Sequence, residues 1–289
     1  LDVAEPVYDR SRSRSAFVRN GDVFVRDLRS GALTQLTRSN DRASGVNFAS
    51  DGGVIWQVSN NWFHWNPRNN STSQVAQLKA DKNPADAPKA DVLRDQQMRT
   101  LSTLRSDRAQ REELREQGER WRQADPTRAA APIFLGADVE IVSSALSPDA
   151  RHLIVVTKPK GYDEGRGGKM PLYVTESGYE EAEDTRTRVG RDDPAPNSFW
   201  LVDAATGKVQ PLALDGLPGI TTDPLAELRR KAGKDALKGN RPVEVMSEFM
   251  GGGIVWNADG SQAAIMLRAI DNKDRWIATT SATNALLLY

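Results

Sequence analysis

The sequence predicts an all-β fold assembled from repeated four-stranded units, and three observations carry the prediction. The first is a hairpin signal that recurs three times. Ile254-Val-Trp256, the turn Asn257-Ala-Asp-Gly260 and Ala263 to Leu267 form one copy. Phe48-Ala-Ser-Asp-Gly52 with Val54 to Val58, and Leu146-Ser-Pro-Asp-Ala150 with Leu153 to Val156, form the others. An Asp-Gly pair between apolar runs marks a tight turn because one turn residue must take positive φ. The second is a run of short period-two strands between Asn20-Gly21 and Ser30-Gly31 turns across residues 16–37. The third is the spacing. The marker residues Asp51, Asp149 and Asp259 stand 98 and 110 residues apart, more than the ~40–50 of one repeat, so insertions separate the units.

In chain order, the first unit spans 16–37. The second runs from Gly45 to Leu78, with Trp62-Phe-His-Trp65 as third strand and Val75 to Leu78 as fourth. The third begins near Val139, flanks Pro148-Asp149, and continues with Ser198 to Asp203 and, after Thr206-Gly207, Val209 to Leu212. The fourth holds the Asp259 hairpin, Trp276 to Thr279 and Leu286 to Leu288. Four strands, each beside the next, make a β-propeller blade. About four blades are therefore expected over 1–289, with Phe48 and Trp256 on equivalent buried strands.

Two insertions interrupt them. Residues 84–125 read as helix: Pro84 and Pro88 precede, Pro126 follows, and neither Gly nor Pro breaks Ala90 to Gln117. The pairs Asp95/Arg99, Asp107/Arg111 and Glu116/Arg120 have the favourable i,i+4 order. Leu93, Leu101, Leu104, Leu114 and Trp121 form a thin apolar stripe that must dock on a second helical arm, the blade rim or a neighbouring subunit. A break near Ser106-Asp107, with Asp107 as cap, would fold the segment into a helical hairpin. Residues 159–197 read as a loop. Its Gly161 to Lys169 stretch fails as a phosphate loop, because Met170 stands where Ser or Thr is needed and no helix comes after it. A short helix opens at Asp223 as N-cap, with Pro224 first, Leu225 and Leu228 on one face and Gly233 near its end.

Composition narrows the function. The 289 residues carry 39 basic and 39 acidic side chains, a balance that gives no electrostatic basis for nucleic-acid binding. No apolar run approaches a membrane span. The chain opens Leu1-Asp2-Val3, so any signal peptide is expected to have been removed or to lie outside it. With no cysteine and two histidines, His64 and His152, the residues predict no metal site and no cofactor. No Gly-x-Ser-x-Gly elbow occurs to seat a serine nucleophile.

The repeated Asp-Gly strands, joined to Trp200-Leu-Val-Asp-Ala-Ala-Thr-Gly-Lys-Val209 and to Asp27 to Thr37, resemble propeller blades of the dipeptidyl peptidase IV N-terminal region and of the TolB type. Tyr173-Val-Thr-Glu-Ser-Gly-Tyr179, Asp223 to Arg230 and Arg268 to Trp276 add a resemblance to bacterial prolyl oligopeptidase-family serine peptidases. That resemblance implies a propeller of seven or eight blades, of which four would not close a ring. It also implies a C-terminal α/β-hydrolase domain, absent from this chain, that supplies the catalytic residues. This chain would then be non-catalytic, gating and orienting peptide substrates, in a periplasmic or secreted protein free to self-associate. In the family a glutamate pair holds the substrate amine, and Glu180 and Glu181 match it. The match departs from the family further along the chain: Phe199 to Val202 stands where a Trp-Ser-x-Asp-Gly strand is expected. Glu244 and Glu248 lie nearer Trp256 but are not adjacent. The other reading is a non-enzymatic TolB-type propeller that binds a protein partner.

Overall fold

The computed structural model describes residues 5–86, 91–125, 127–165, 167–185, 192–235, 237–247, 250–282 and 284–288. Leu1-Asp2-Val3, Pro88, Ala90, Pro126 and Glu248, which figure in the sequence reading, lie outside them.

The chain folds into four antiparallel blades in a propeller arrangement. Blade 1 comprises β1 (Val7–Tyr8), β2 (Arg14–Arg19), β3 (Asp22–Asp27) and β4 (Leu33–Gln35). Blade 2 comprises β5 (Ala43–Phe48), β6 (Val54–Val58), β7 (Asn61–Asn66) and β8 (Ser71–Lys79). Helices α1 (Val92–Thr100) and α2 (Ser102–Ala124) come next, and β9 (Ile133–Phe134) then returns to pair in parallel with β8. Blade 3 begins with β10 (Val139–Leu146) and β11 (His152–Pro159). A separate hairpin, β12 (Gly168–Leu172) and β13 (Glu181–Thr185), intervenes before its outer strands β14 (Ser198–Asp203) and β15 (Val209–Pro211). After α3 (Ala226–Lys231), blade 4 has β16 (Val243–Val245) and β17 (Ile254–Trp256), both paired with β18 (Gln262–Ala269), then β19 (Arg275–Ser281) and β20 (Asn284–Leu288).

Alternation along each strand decides which blade faces bury. In β11, Leu153 and Val155 pack toward blade 2, while Ile154 and Val156 pack toward blade 4. In β6, Val54 and Trp56 face blade 1 and Ile55 faces blade 3. Successive side chains of a strand point to opposite faces, so a strand buried on both faces must be apolar throughout. Hence Val-Ile-Trp and Leu-Ile-Val-Val fill the two middle blades. In the terminal blade 4, β19 alternates instead: Trp276, Ala278 and Thr280 are buried, whereas Arg275, Ile277 and Thr279 are exposed. Three apolar clusters join blades 1 and 2, 2 and 3, and 3 and 4. Among the described residues no such cluster joins blade 4 to blade 1.

Buried indoles are tied across blades. Trp62 Nε1 donates to Ser144 Oγ at 2.9 Å and Trp256 Nε1 to the Ala145 carbonyl at 3.1 Å. Arg241, 2% exposed, pairs with Asp271 at 2.8 Å and with Asp274, and its guanidinium lies over Trp276. Trp256 and Phe48 both occupy buried positions on the first strand of their hairpins.

Several sequence expectations need correction. Blade 1 gains β1, blade 2 gains β9 and blade 4 gains β16; runs of two or three residues are too short to show a period. The helix breaks at Leu101, not near Ser106-Asp107, and Asp107 lies inside α2. Asp91 caps α1, accepting from the N–H groups of Leu93 and Arg94. Arg111 and Arg120 donate to the carbonyls of Asp107 and Glu116, turning back onto the main chain. Within the chain the apolar stripe does not dock on the other arm or the blades: Leu93, Leu101, Leu104, Leu114 and Trp121 all stay exposed. At about 100° per residue, Leu101/Leu104 and Leu114/Trp121 fall on directions about 120° apart, so α2 has no single seam. Helix α3 starts at Ala226, three residues after Asp223, whose carboxylate still accepts from the Leu225 N–H; Leu228 is exposed. Finally, the glycine-rich loop ends sooner than expected, because β12 opens at Gly168 and pairs with the acidic run.

Candidate functional site

Meander connectivity sorts the loops by strand end. Turns between the first and second and between the third and fourth strands share one end of each blade. The 80–132 and 160–197 insertions and the 212–242 linker leave from the other.

At the turn end, an aspartate or asparagine side chain caps each turn for which a bond to the turn backbone is resolved. Asp9 Oδ1 accepts from the N–H groups of Ser13 and Arg14, Asp51 from Gly53, Asp149 from Arg151 and Asp259 from Ser261. Asp27, Asn66 and Asp203 cap the outer turns in the same way. The positive-φ residue in the four inner turns is Arg12, Gly52, Ala150 and Gly260. Burial alone would raise the Asp9 carboxyl, but hydrogen bonds from the Arg14 N–H and from Ser13 and Ser11 outweigh it and hold it down at about 2. Burial also opposes ionisation of Asp51, and the Gly53 N–H and His64 overcome it to lower its pKa. Neighbouring turns lock together. Arg14 Nη2 donates to the Gly52 carbonyl at 2.9 Å, and the Ser50 N–H donates to the Pro148 carbonyl at 2.8 Å.

This end also contains a serine, an aspartate and a histidine in proximity, and their geometry excludes a nucleophilic triad. Ser147 is fully buried, its hydroxyl donates to Asp149, and it accepts from the His152 backbone N–H at 2.9 Å. A nucleophile must be exposed and must give its proton to the histidine ring. His64 likewise serves a turn, with Nε2 3.2 Å from Asp51 Oδ1.

The opposite end carries the predicted carboxylates. Hairpin β12–β13 pairs Leu172 with Glu181 and Met170 with Glu183, and its base is closed by the Asp192 N–H on the Glu164 carbonyl at 3.0 Å. Its tip turns through Gly178 at φ +73°, with the Thr175 hydroxyl donating to the Tyr179 carbonyl at 2.6 Å. Glu180 and Glu181 are both exposed there. Ser177 Oγ donates to Glu181 Oε1 at 2.7 Å and fixes that carboxylate. Tyr173, Val174 and Tyr179 belong to the same hairpin tip, all at least three-quarters exposed. Glu244 lies elsewhere, on β16, where Arg268 holds it through a two-pronged contact at 2.8–2.9 Å. Sequence reasoning misses Ser177, although a hydroxyl four residues before a carboxylate across a Gly turn is the signal that could find it. Among the described residues, no helix is long and apolar enough to cross a membrane.

No protein-family model matches the chain, and no curated protein matches it. Similar solved structures include dipeptidyl peptidase 4 of Porphyromonas gingivalis, 12% identical with a TM-score of 0.45, covering 99% of this chain and 32% of that one. The acylaminoacyl peptidase of Pyrococcus horikoshii is 10% identical with a TM-score of 0.38, covering 96% and 30%. TolB of Acinetobacter baumannii is 11% identical with a TM-score of 0.33, covering 93% and 41%. This chain therefore spans about a third of the two peptidases, and its propeller arrangement rests on its own strand order.

Proposed function

We propose that this chain is the non-catalytic propeller portion of a periplasmic or secreted serine exopeptidase of the prolyl oligopeptidase family. In this reading it gates and orients short peptides for a C-terminal α/β-hydrolase domain of the same protein. The observation that supports it is the adjacent Glu180–Glu181 pair, exposed on a hairpin that leaves the blades opposite their locked turns, with Glu181 oriented by Ser177. Two carboxylates beside exposed tyrosines suit a peptide ammonium: the acids accept its charged N–H groups and the rings shield the contact from water. Fixing the N-terminus fixes how far the chain reaches, and so which bond meets the nucleophile.

Glu181→Gln in the full-length peptidase should raise KM for dipeptide substrates with a free amine by about tenfold, the lower end of a charge-assisted contact because the site is exposed. It should leave N-acetylated substrates unchanged. Equal effects on both would end this reading. A TolB-type role in binding a protein is favoured by one observation, the apolar tip of Tyr173, Val174 and Tyr179. In that case the protein would show no peptide turnover for Glu181→Gln to change, whereas Tyr179→Ala would release a partner.

A further inference from the structure

Helix α2 stands off from the blades and encloses a cleft of about 960 Å³. One wall is the helix face carrying Arg115, Gly118, Glu119 and Arg122; these positions repeat at i, i+3, i+4 and i+7, so they look the same way. The opposite wall is the strap 129–134 with the turn 204–207 of blade 3. That wall is mostly alanine and glycine, which leaves the space to whatever enters.

Two further features indicate what fits. The first is charge. Arg122 shares its charge with Glu119 at 3.3 Å, while Arg115 makes no ion pair or hydrogen bond among the described residues. Arg115 and Arg122 therefore outnumber Glu119, the single carboxylate lining the cleft. The second is a strand edge. The Leu135 N–H donates to the Lys79 carbonyl at 2.9 Å, which directs residues 133 and 135 toward β8. In a parallel ladder the intervening residue turns its main-chain groups the other way. Phe134 therefore offers its N–H and C=O, and Pro132 its C=O, on the edge away from β8, and both residues line the cleft.

We infer that this cleft binds an extended acidic peptide segment, added as a strand along β9 and clamped by Arg115 and Arg122 of α2. Main-chain bonds to β9 would supply affinity, and the guanidinium groups would select alternate acidic side chains. The inference is independent of the hairpin site and of any hydrolase domain.

The test is fluorescence anisotropy with this chain and a dye-labelled peptide of alternating valine and glutamate. Saturable binding is expected, with no binding of the valine–lysine counterpart or of the same peptide N-methylated at every second residue. Arg115→Glu combined with Arg122→Glu should weaken binding about tenfold or more at an unchanged melting temperature, because α2 is largely exposed. Ala130→Trp, which fills the cleft, should abolish binding and covers the case in which the charge-reversed variant fails to fold. Absence of saturable binding, or binding indifferent to backbone methylation and to charge reversal, would overturn the inference. Equal competition by free glutamate would also overturn it, by making the cleft a site for small carboxylates.

Discussion

The two ends of the blades use the same residue types for opposite purposes. At the turn end, carboxylates are spent on their own backbone: Asp9, Asp51, Asp149 and Asp259 each bond N–H groups two to five residues away. The insertions that leave from the other end carry carboxylates and guanidiniums that face solvent, while the blade itself keeps Arg241 buried there against Asp271 and Asp274. Glu180 and Glu181 stand on a hairpin tip, and Arg115 looks into the cleft beneath α2. A carboxylate bonded to its own turn fixes local geometry and is unavailable to a ligand. An exposed one adds little stability, since surface ion pairs contribute only about 0–1 kcal/mol. The capped turns therefore fix the blades, and the insertions, including the arm that closes the cleft over the 204–207 turn, are free to recognise.

The largest effect expected from this contrast is at Gly53. A Cβ there would lie 2.3 Å from the Trp65 carbonyl oxygen, a backbone atom that can move only with its strand. Gly53→Ala should cost about 3 kcal/mol, the upper end for overpacking, read as a shift in denaturation midpoint. At Gly118 on α2 nothing lies within 4 Å of the added Cβ, so Gly118→Ala should be neutral or slightly stabilising. Equal effects at the two positions would erase the distinction.

Next comes the response to acid. The pKa values of Asp9 and Asp51 are lowered on folding, so the ionised forms stabilise the native state above the ordinary value of 3.8. That contribution is lost as pH falls through the folded values, about 2 for Asp9. The melting temperature should hold down to about pH 4 and then fall toward pH 2. Asp51→Asn keeps the acceptor for the Gly53 N–H and should flatten part of that fall. Asp51→Ala loses the bond and should cost about 1 kcal/mol at neutral pH. A melting temperature that rises on acidification would contradict the assignment.

The turn end is also the legible end. Its signals are local: an Asp-Gly pair demands positive φ whatever surrounds it, and apolar runs such as Leu153 to Val156 require burial on both faces. The match extends to Ala150, which holds φ +59° where the other two Asp turns have glycine. Short pairings are not legible, because β1 is too brief to show a period and β9 and β16 exist only through partners distant in sequence. The stripe of α2 misleads when its leucines are counted without their angles. The cleft has no sequence signal either, since Arg115 and Arg122 look like any other charges on a solvated helix until the strap 129–134 is placed opposite them. The Glu180–Glu181 pair comes from resemblance to a family, and the structure adds Ser177 as the group that orients Glu181.

The smallest expected effect on stability is also the most direct test of the division between the two ends. Residues 86–124 would be replaced by a short Gly/Ser linker, and thermal unfolding measured beside binding of the valine–glutamate peptide. The melting temperature should stay within about a degree of the intact chain, because surface elements with few buried apolar contacts contribute little to global stability. Peptide binding should be lost with Arg115 and Arg122. A large fall in melting temperature with binding retained would make the arm part of the core and contradict the account.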